Sequence, residues 1–182
     1  MRIRLTLVLF ASLLSVPVAL YAQRGQESAL TEAEVEALRD SAYVANDRVL
    51  TFIKFLDARS ASIQTLATKP RQPGREEDLH ALYEQFTSIA DELDDNLDDL
   101  GPRHRDMRKA LPKLLAATER WATALKTPAD NEAYNMSRKL ALEAVRDLRE
   151  SSTQLIEEQK VWFLAHPPAK EEPGAPNENH PH

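Results

Sequence analysis

Between Val35 and Leu66 the chain reads VEALRDSAYVANDRVLTFIKFLDARSASIQTL, and its apolar residues recur at alternating spacings of three and four. That spacing places them on one face of an α-helix, so the pattern predicts a single amphipathic helix over residues 31–68. Thr31 and Glu34 form a capping-box motif at its start. The prediction does not depend on one or two residues, because nine of the ten heptad positions are apolar.

The one heptad position that is not apolar holds Arg59. We expect this side chain to extend to the edge of the helix, or to pair with Glu84 of the next helix. The alternative is a small polar layer inside the protein, where an interior guanidinium would suit a carboxylate or phosphate ligand.

The same period continues through three further segments separated by Gly and Pro. They predict helices over 76–100, 103–126 and 129–165. Short turns between four helices favour an all-α, up-down-up-down four-helix bundle over 31–165, with helices 1 and 4 longer than helices 2 and 3. Pro112 falls inside the third segment, where we expect a kink; alternatively the helix proper begins there and 103–110 forms a separate turn.

The two ends of the chain have different compositions. Residues 1–22 combine Arg2 and Arg4 with an apolar run and the small residue Ala22, which is typical of a cleaved signal peptide. An uncleaved membrane anchor is the alternative. Residues 23–30 would be a linker, and the Pro-rich residues 166–182 a disordered tail. Export to the periplasm of a bacterial cell envelope, or secretion, follows from this pattern, with no membrane span left after cleavage.

Composition excludes several function classes. The sequence has no Cys, and therefore no disulfide, thiolate metal site, covalently attached haem or Cys nucleophile. Removal of residues 1–22 takes away two Arg and no acid, which leaves 21 basic against 29 acidic residues and a net charge of −8. This acidity disfavours nucleic acid as a partner.

Six carboxylates lie within the nine residues 91–99, at the end of the second predicted helix. Asp91, Asp95 and Asp99 share one helical face, and oxygen ligands of this kind suit Ca²⁺, Mg²⁺ or Mn²⁺. The simpler interpretation is neutralisation by the basic residues of 103–109, which an antiparallel hairpin would place alongside. A metal site at Asp91, Asp95 and Asp99 is the alternative.

Other chemical motifs are weak. Glu77 and His80 have the spacing used in di-iron bundles, but the sequence lacks the second such pair. Met107 and Met136 lie on apolar stripes, where Met is usually core filling rather than a haem ligand. We expect no cofactor and no enzymatic activity.

The predicted helix lengths leave two ends overhanging, about 31–45 and 153–165. We expect these ends to form a two-helix stalk with more apolar surface than two helices can cover. The alternatives are a frayed or slightly repacked end, and a membrane-proximal stalk if the signal stays uncleaved. Tyr43, Trp162 and Phe163 would be its partner-binding residues. The sequence therefore predicts an interaction or adaptor module that binds a protein or a second copy of itself. The alternative is a sensory bundle that binds a cation or small ligand through the acidic run.

Overall fold

The computed structural model describes residues 29–167, which form five α-helices and no strand. The all-helical fold class is therefore confirmed. The predicted signal peptide, most of the linker and residues 168–182 of the tail lie outside the described residues. The helices are α1 (Glu32–Asp40), α2 (Ala45–Thr68), α3 (Arg75–Leu100), α4 (Leu111–Leu125) and α5 (Asn135–Ala165).

The prediction of one continuous helix over 31–68 is wrong. The chain leaves the helix at Ser41–Val44, which we call the hinge, and α1 turns back along α2. The Glu34 carboxylate consequently meets the Arg59 guanidinium, with Arg59 Nη2 2.7 Å from Glu34 Oε2. In a straight helix these residues would lie about 37 Å apart, at 1.5 Å per residue.

Helix α1 is held by contacts with α2, and the α2 side chain that binds it is held in turn by α3. The Glu34–Arg59 pair is largely enclosed, with side chains 15% and 12% exposed. Arg59 Nε also donates to the Gln85 side chain of α3, at 3.2 Å. Arg48 Nη1 donates to the backbone carbonyl of Leu38 at 3.1 Å, and the Leu38 side chain is buried. Glu84 is thus not the partner of Arg59.

The remaining helices differ from prediction mainly at their starts. Helix α3 begins one residue before the predicted position and ends at the predicted one. In α4, Pro112 lies in the first turn, where its missing N–H costs nothing, so the separate-turn alternative is correct and the kink is not. Helix α5 starts at Asn135 rather than near 129, because residues 128–134 form turns.

The four longer helices are not packed in chain order. Helices α2 and α5 each pack against both α3 and α4. Consecutive helices α3 and α4 instead face each other across the interior, where the Phe86 and Trp121 rings meet edge-on at 5.8 Å. Tyr83 also donates to the carbonyl of Leu125, at 2.8 Å. The connection from Gly101 to Ala110 makes this diagonal crossing, so the predicted hairpin of neighbouring helices 2 and 3 is wrong.

The length prediction also fails in part. Helix α2 has 24 residues and α3 has 26, because the hinge removes α1 from the first predicted helix. Helix α5 is the longest described, with 31 residues, and α4 has 15. Within residues 29–167, none of the helices combines the length and apolar character that crossing a membrane requires.

Candidate functional site

Three segments meet at one end of the molecule, which we call the hinge end: the hinge, the Gly101–Ala110 connection and the last turns of α5. Gln159 of α5 is buried and joins them. Its Oε1 accepts from the amide of Met107 at 3.0 Å, and its Nε2 donates to the carbonyl of Arg105 at 2.7 Å. Arg105 in turn donates to the carbonyl of Tyr43 at 2.9 Å.

The connection is also tied to α2. The Asn46 side chain accepts from the amides of Lys109 and Ala110, at 3.1 and 2.9 Å. Ala110 is the residue just before α4, and its amide also donates to the carbonyl of Met107 at 2.9 Å. Asn46 therefore ties the end of the connection to α2.

Trp162 is sandwiched between two imidazole rings. The His104 ring lies 3.5 Å from the indole with an 8° tilt, and the His166 ring lies 3.8 Å away with an 18° tilt. Two rings this close and this parallel must occupy opposite faces of the indole. His104 has φ +51°, in the left-handed region that few non-glycine residues adopt. The backbone at His104 thus takes a costly conformation while its ring covers Trp162.

A groove of about 330 Å³ lies beside this stack. The Arg108 guanidinium sits 4.0 Å from the centre of the Phe163 ring, a cation–π contact, and also pairs with Asp106. The groove has an apolar floor and a basic rim; its lining residues are Arg108, Pro112, Ile156, Lys160, Phe163 and Leu164.

The predicted two-helix stalk does not form. Helix α1 folds back on α2, and the connection packs on the end of α5, so Leu38 and Leu155 are buried rather than exposed. Trp162 and Phe163 are half-buried. Large apolar side chains are nevertheless exposed at the hinge end: Tyr43 at 85%, Val161 at 68% and Leu164 at 78%.

The acidic run lies on α3, beside α5. Burial and the neighbouring charges of Asp95, Asp94 and Asp147 raise the pKa of Asp91. The pKa of Asp94 is also raised, chiefly by burial, although Ser151 donates to it at 2.8 Å. Negative charge here is thus only partly compensated.

The expected neutralisation by the basic segment is incomplete. Arg103 pairs with Asp99 at 2.5 Å, whereas Arg105 and Arg108 turn to Tyr43 and Phe163. In the part of the chain that the structure describes, no group of three or more His, Cys, Asp or Glu side chains is arranged to hold a metal ion. The metal site at Asp91, Asp95 and Asp99 stays a prediction from sequence.

The remaining candidate residues have ordinary contacts. His80 approaches Ser137 at 3.1 Å and Glu84 at 3.2 Å. Met107 is fully buried, but Met136 is 68% exposed, so it is not core filling as the stripe predicted.

Sequence reasoning missed Gln159, Asn46 and His104. None lies on an apolar stripe, and their partners are backbone groups or rings distant in the chain. The available signal in the sequence was Gly101-Pro102 followed by a polar segment. It indicated that the helix ends there, but not which residues the following connection would cover.

Comparisons of the chain with protein-family models, curated proteins and solved structures found no significant match.

Proposed function

We propose that this chain is an exported helical scaffold that works by binding a protein at its hinge end, without catalysis. The observation that carries the proposal is the exposure of Tyr43, Val161 and Leu164 at one end of a chain whose interior is otherwise well packed. Exposed apolar side chains that cluster together are typical of protein–protein contact sites.

The neighbouring groove supports the same surface. Its aromatic and aliphatic floor offers apolar contact area, and Arg108 and Lys160 offer positive charge at the rim. Aromatic residues and Arg contribute strongly to binding at protein interfaces. Trp162 and Phe163, the predicted partner-binding residues, would then act as anchors that the histidine stack and Arg108 hold in place.

The packing of α2, α3, α4 and α5 supplies the rigid support that such a surface needs. We interpret these helices as a four-helix bundle that has α1 as an added arm. The acidic mature charge and the signal-like residues 1–22 are the basis for proposing a periplasmic or secreted location.

The test compares two variants of α5. Leu164→Glu places a charge at the hinge end, and Met136→Glu places one on a similarly exposed apolar residue near the other end of the helix. Partners would be recovered from the native cell envelope with each variant and with the wild type, and quantified by mass spectrometry. We expect Leu164→Glu to lose a partner that Met136→Glu retains. Equal recovery by both variants would overturn the proposal.

A further inference from the structure

The hinge lacks the residues that normally end a helix. Ser41, Ala42, Tyr43 and Val44 include neither Gly nor Pro, and the apolar heptad continues across them. Val44, the N-cap of α2, makes no side-chain capping bond. The local sequence therefore suits a straight helix, and the bend requires the docking of α1 to hold it.

Helix α1 docks on two arginine side chains of α2. Arg59 binds Glu34, and Arg48 binds the Leu38 carbonyl at 3.1 Å. Both arginines are in turn held by α3, because Arg59 donates to Gln85 and Arg48 Nε donates to the Asn96 side chain at 2.5 Å. An α1 helix from a second molecule would find the same donors, with an acidic residue as its polar anchor.

We propose that two copies of this chain exchange their α1 helices. The hinge straightens into one helix from Glu32 to Thr68, and α1 docks on α2 of the other copy. Glu34 then pairs with Arg59 of the partner subunit. The inference goes beyond the proposed function and does not rest on it.

The contacts of α1 have the symmetry that such an exchange needs. The pairs 34/59 and 38/48 show that α1 runs antiparallel to α2, and they are centred near residues 46 and 43. Two straight antiparallel helices that keep these pairs would cross at the hinge, on a two-fold axis. Exchange of identical elements preserves the contacts of α1 with α2, so the cost lies in association and in the lost bond from Arg105 to the Tyr43 carbonyl, and the gain lies in the relieved hinge.

The exchange also accounts for the two exposed apolar residues of the hinge itself. A two-fold axis at the hinge brings the hinges of both copies together. Tyr43 and Val44, 85% and 50% exposed in the single chain, lie where this axis would pass. A second copy therefore fits both the α1 docking site and the uncovered hinge.

The absence of Cys from the sequence allows a direct test by disulfide formation. Glu34→Cys and Arg59→Cys would be made in separate chains, mixed in equal amounts, unfolded and refolded together, and then oxidised. Exchange predicts a covalent dimer in the mixture that neither variant alone forms in comparable yield. A mixture with no more dimer than the separate variants would overturn the proposal.

A hinge variant with its ion pair intact tests the same idea by mass measurement from micromolar to millimolar concentration. Ala45→Pro suits the bent form, since position 45 is the first of α2 and Val44 before it is extended, but it breaks a straight helix. The substitution should therefore weaken the dimer and leave the single chain folded.

We expect a wild-type dimer that Ala45→Pro weakens. A wild-type protein that stays monomeric throughout, or a dimer unaffected by Ala45→Pro, would overturn the proposal. If Ala45→Pro fails to fold, as judged by circular dichroism, the disulfide mixture still decides.

Discussion

At the scale of single residues, Glu34 has two roles. It closes the capping box of α1 with Thr31, and it pairs with Arg59. The Arg59 hydrogen bond is the main reason that the pKa of Glu34 falls from 4.5 to about 2, against the opposing effect of burial. Ionised Glu34 therefore stabilises the fold above pH 4.5, and this contribution is lost as the pH falls towards 2.

We predict that Glu34→Gln lowers the free energy of unfolding at pH 7 by about 2 kcal/mol, because a charge-assisted bond is lost while Gln can still close the capping box. The difference from wild type should shrink as the pH falls from 4.5 towards 2. Urea unfolding across this range measures it.

Glu36→Gln is the matched control, because Glu36 lies on the same helix but its pair with Arg39 is exposed. Its effect should stay within about 0.5 kcal/mol. Equal effects of the two substitutions at pH 7 would show that the Arg59 contact contributes nothing.

Asp94 shows the opposite electrostatic behaviour. Its pKa is raised from 3.8, so its ionised form is less stable in the fold than in the unfolded chain. We predict that Asp94→Asn raises stability at pH 7 by about 0.5 kcal/mol, because it removes the cost of partly burying the charge and the smaller, solvent-screened repulsion from neighbouring Asp residues. The gain should disappear below pH 3.8, where Asp94 is protonated in both states.

Asp78 provides the comparison for Asp94. It lies in the first turn of the same helix, where the helix dipole favours negative charge. Asp78→Asn should therefore lower the unfolding midpoint slightly at pH 7. Destabilisation by both Asn substitutions would contradict the electrostatic interpretation of the acidic run.

At the scale of elements, Gln159 holds the Gly101–Ala110 connection on α5. We predict that Gln159→Ala costs about 2 kcal/mol, because it leaves the buried amide of Met107 and the partly buried carbonyl of Arg105 without these hydrogen bonds. Hydrogen exchange should show faster exchange at the amide of Met107 in particular.

Gln154→Ala is the control for this substitution, since Gln154 is on the same helix but exposed and bonded to Glu158. It should leave exchange at Met107 unchanged. Similar exchange rates in the two variants would mean that Gln159 does not position the connection.

Whether the bounds of a helix could be predicted from the sequence depends on which residues end that helix. Helix α3 was predicted to within one residue because Gly74 and Gly101 bound it. The hinge was not predicted, because nothing local breaks the helix there. The signal of the bend was Arg59 at an apolar heptad position. Its partner Glu34 could not be inferred, because on a straight helix Glu34 would lie far from Arg59.

The buried face of α5 was also misjudged. Leu140 follows Met136 by four residues on the apolar stripe predicted for this helix, yet it is 47% exposed. Ser137, Ser152 and Gln159 are instead buried. The two Ser hydroxyls bond to carbonyls of their own helix, which satisfies them without water. Hydropathy alone does not detect such residues.

At the scale of the whole molecule, the spatial arrangement of the helices could not be predicted from the sequence. Short turns favour sequential neighbours, but the connection after Gly101 is long enough to place α4 diagonally opposite α3. The exposure of the acidic run and the position of the hinge end are both consequences of this diagonal connection between α3 and α4. The structure places Tyr43, Trp162 and Phe163 at the hinge end, but not in the two-helix stalk that the sequence predicted. That these residues bind a partner stays a prediction.

Covalent footprinting of the protein in its native envelope, compared with dilute purified protein, tests the central claim that the hinge end is the contact surface. The account predicts reduced labelling at Tyr43, Val161 and Leu164, with labelling at Met136 and Leu140 unchanged. Protection at Met136 and Leu140, or equal labelling of all five residues in both samples, would contradict it.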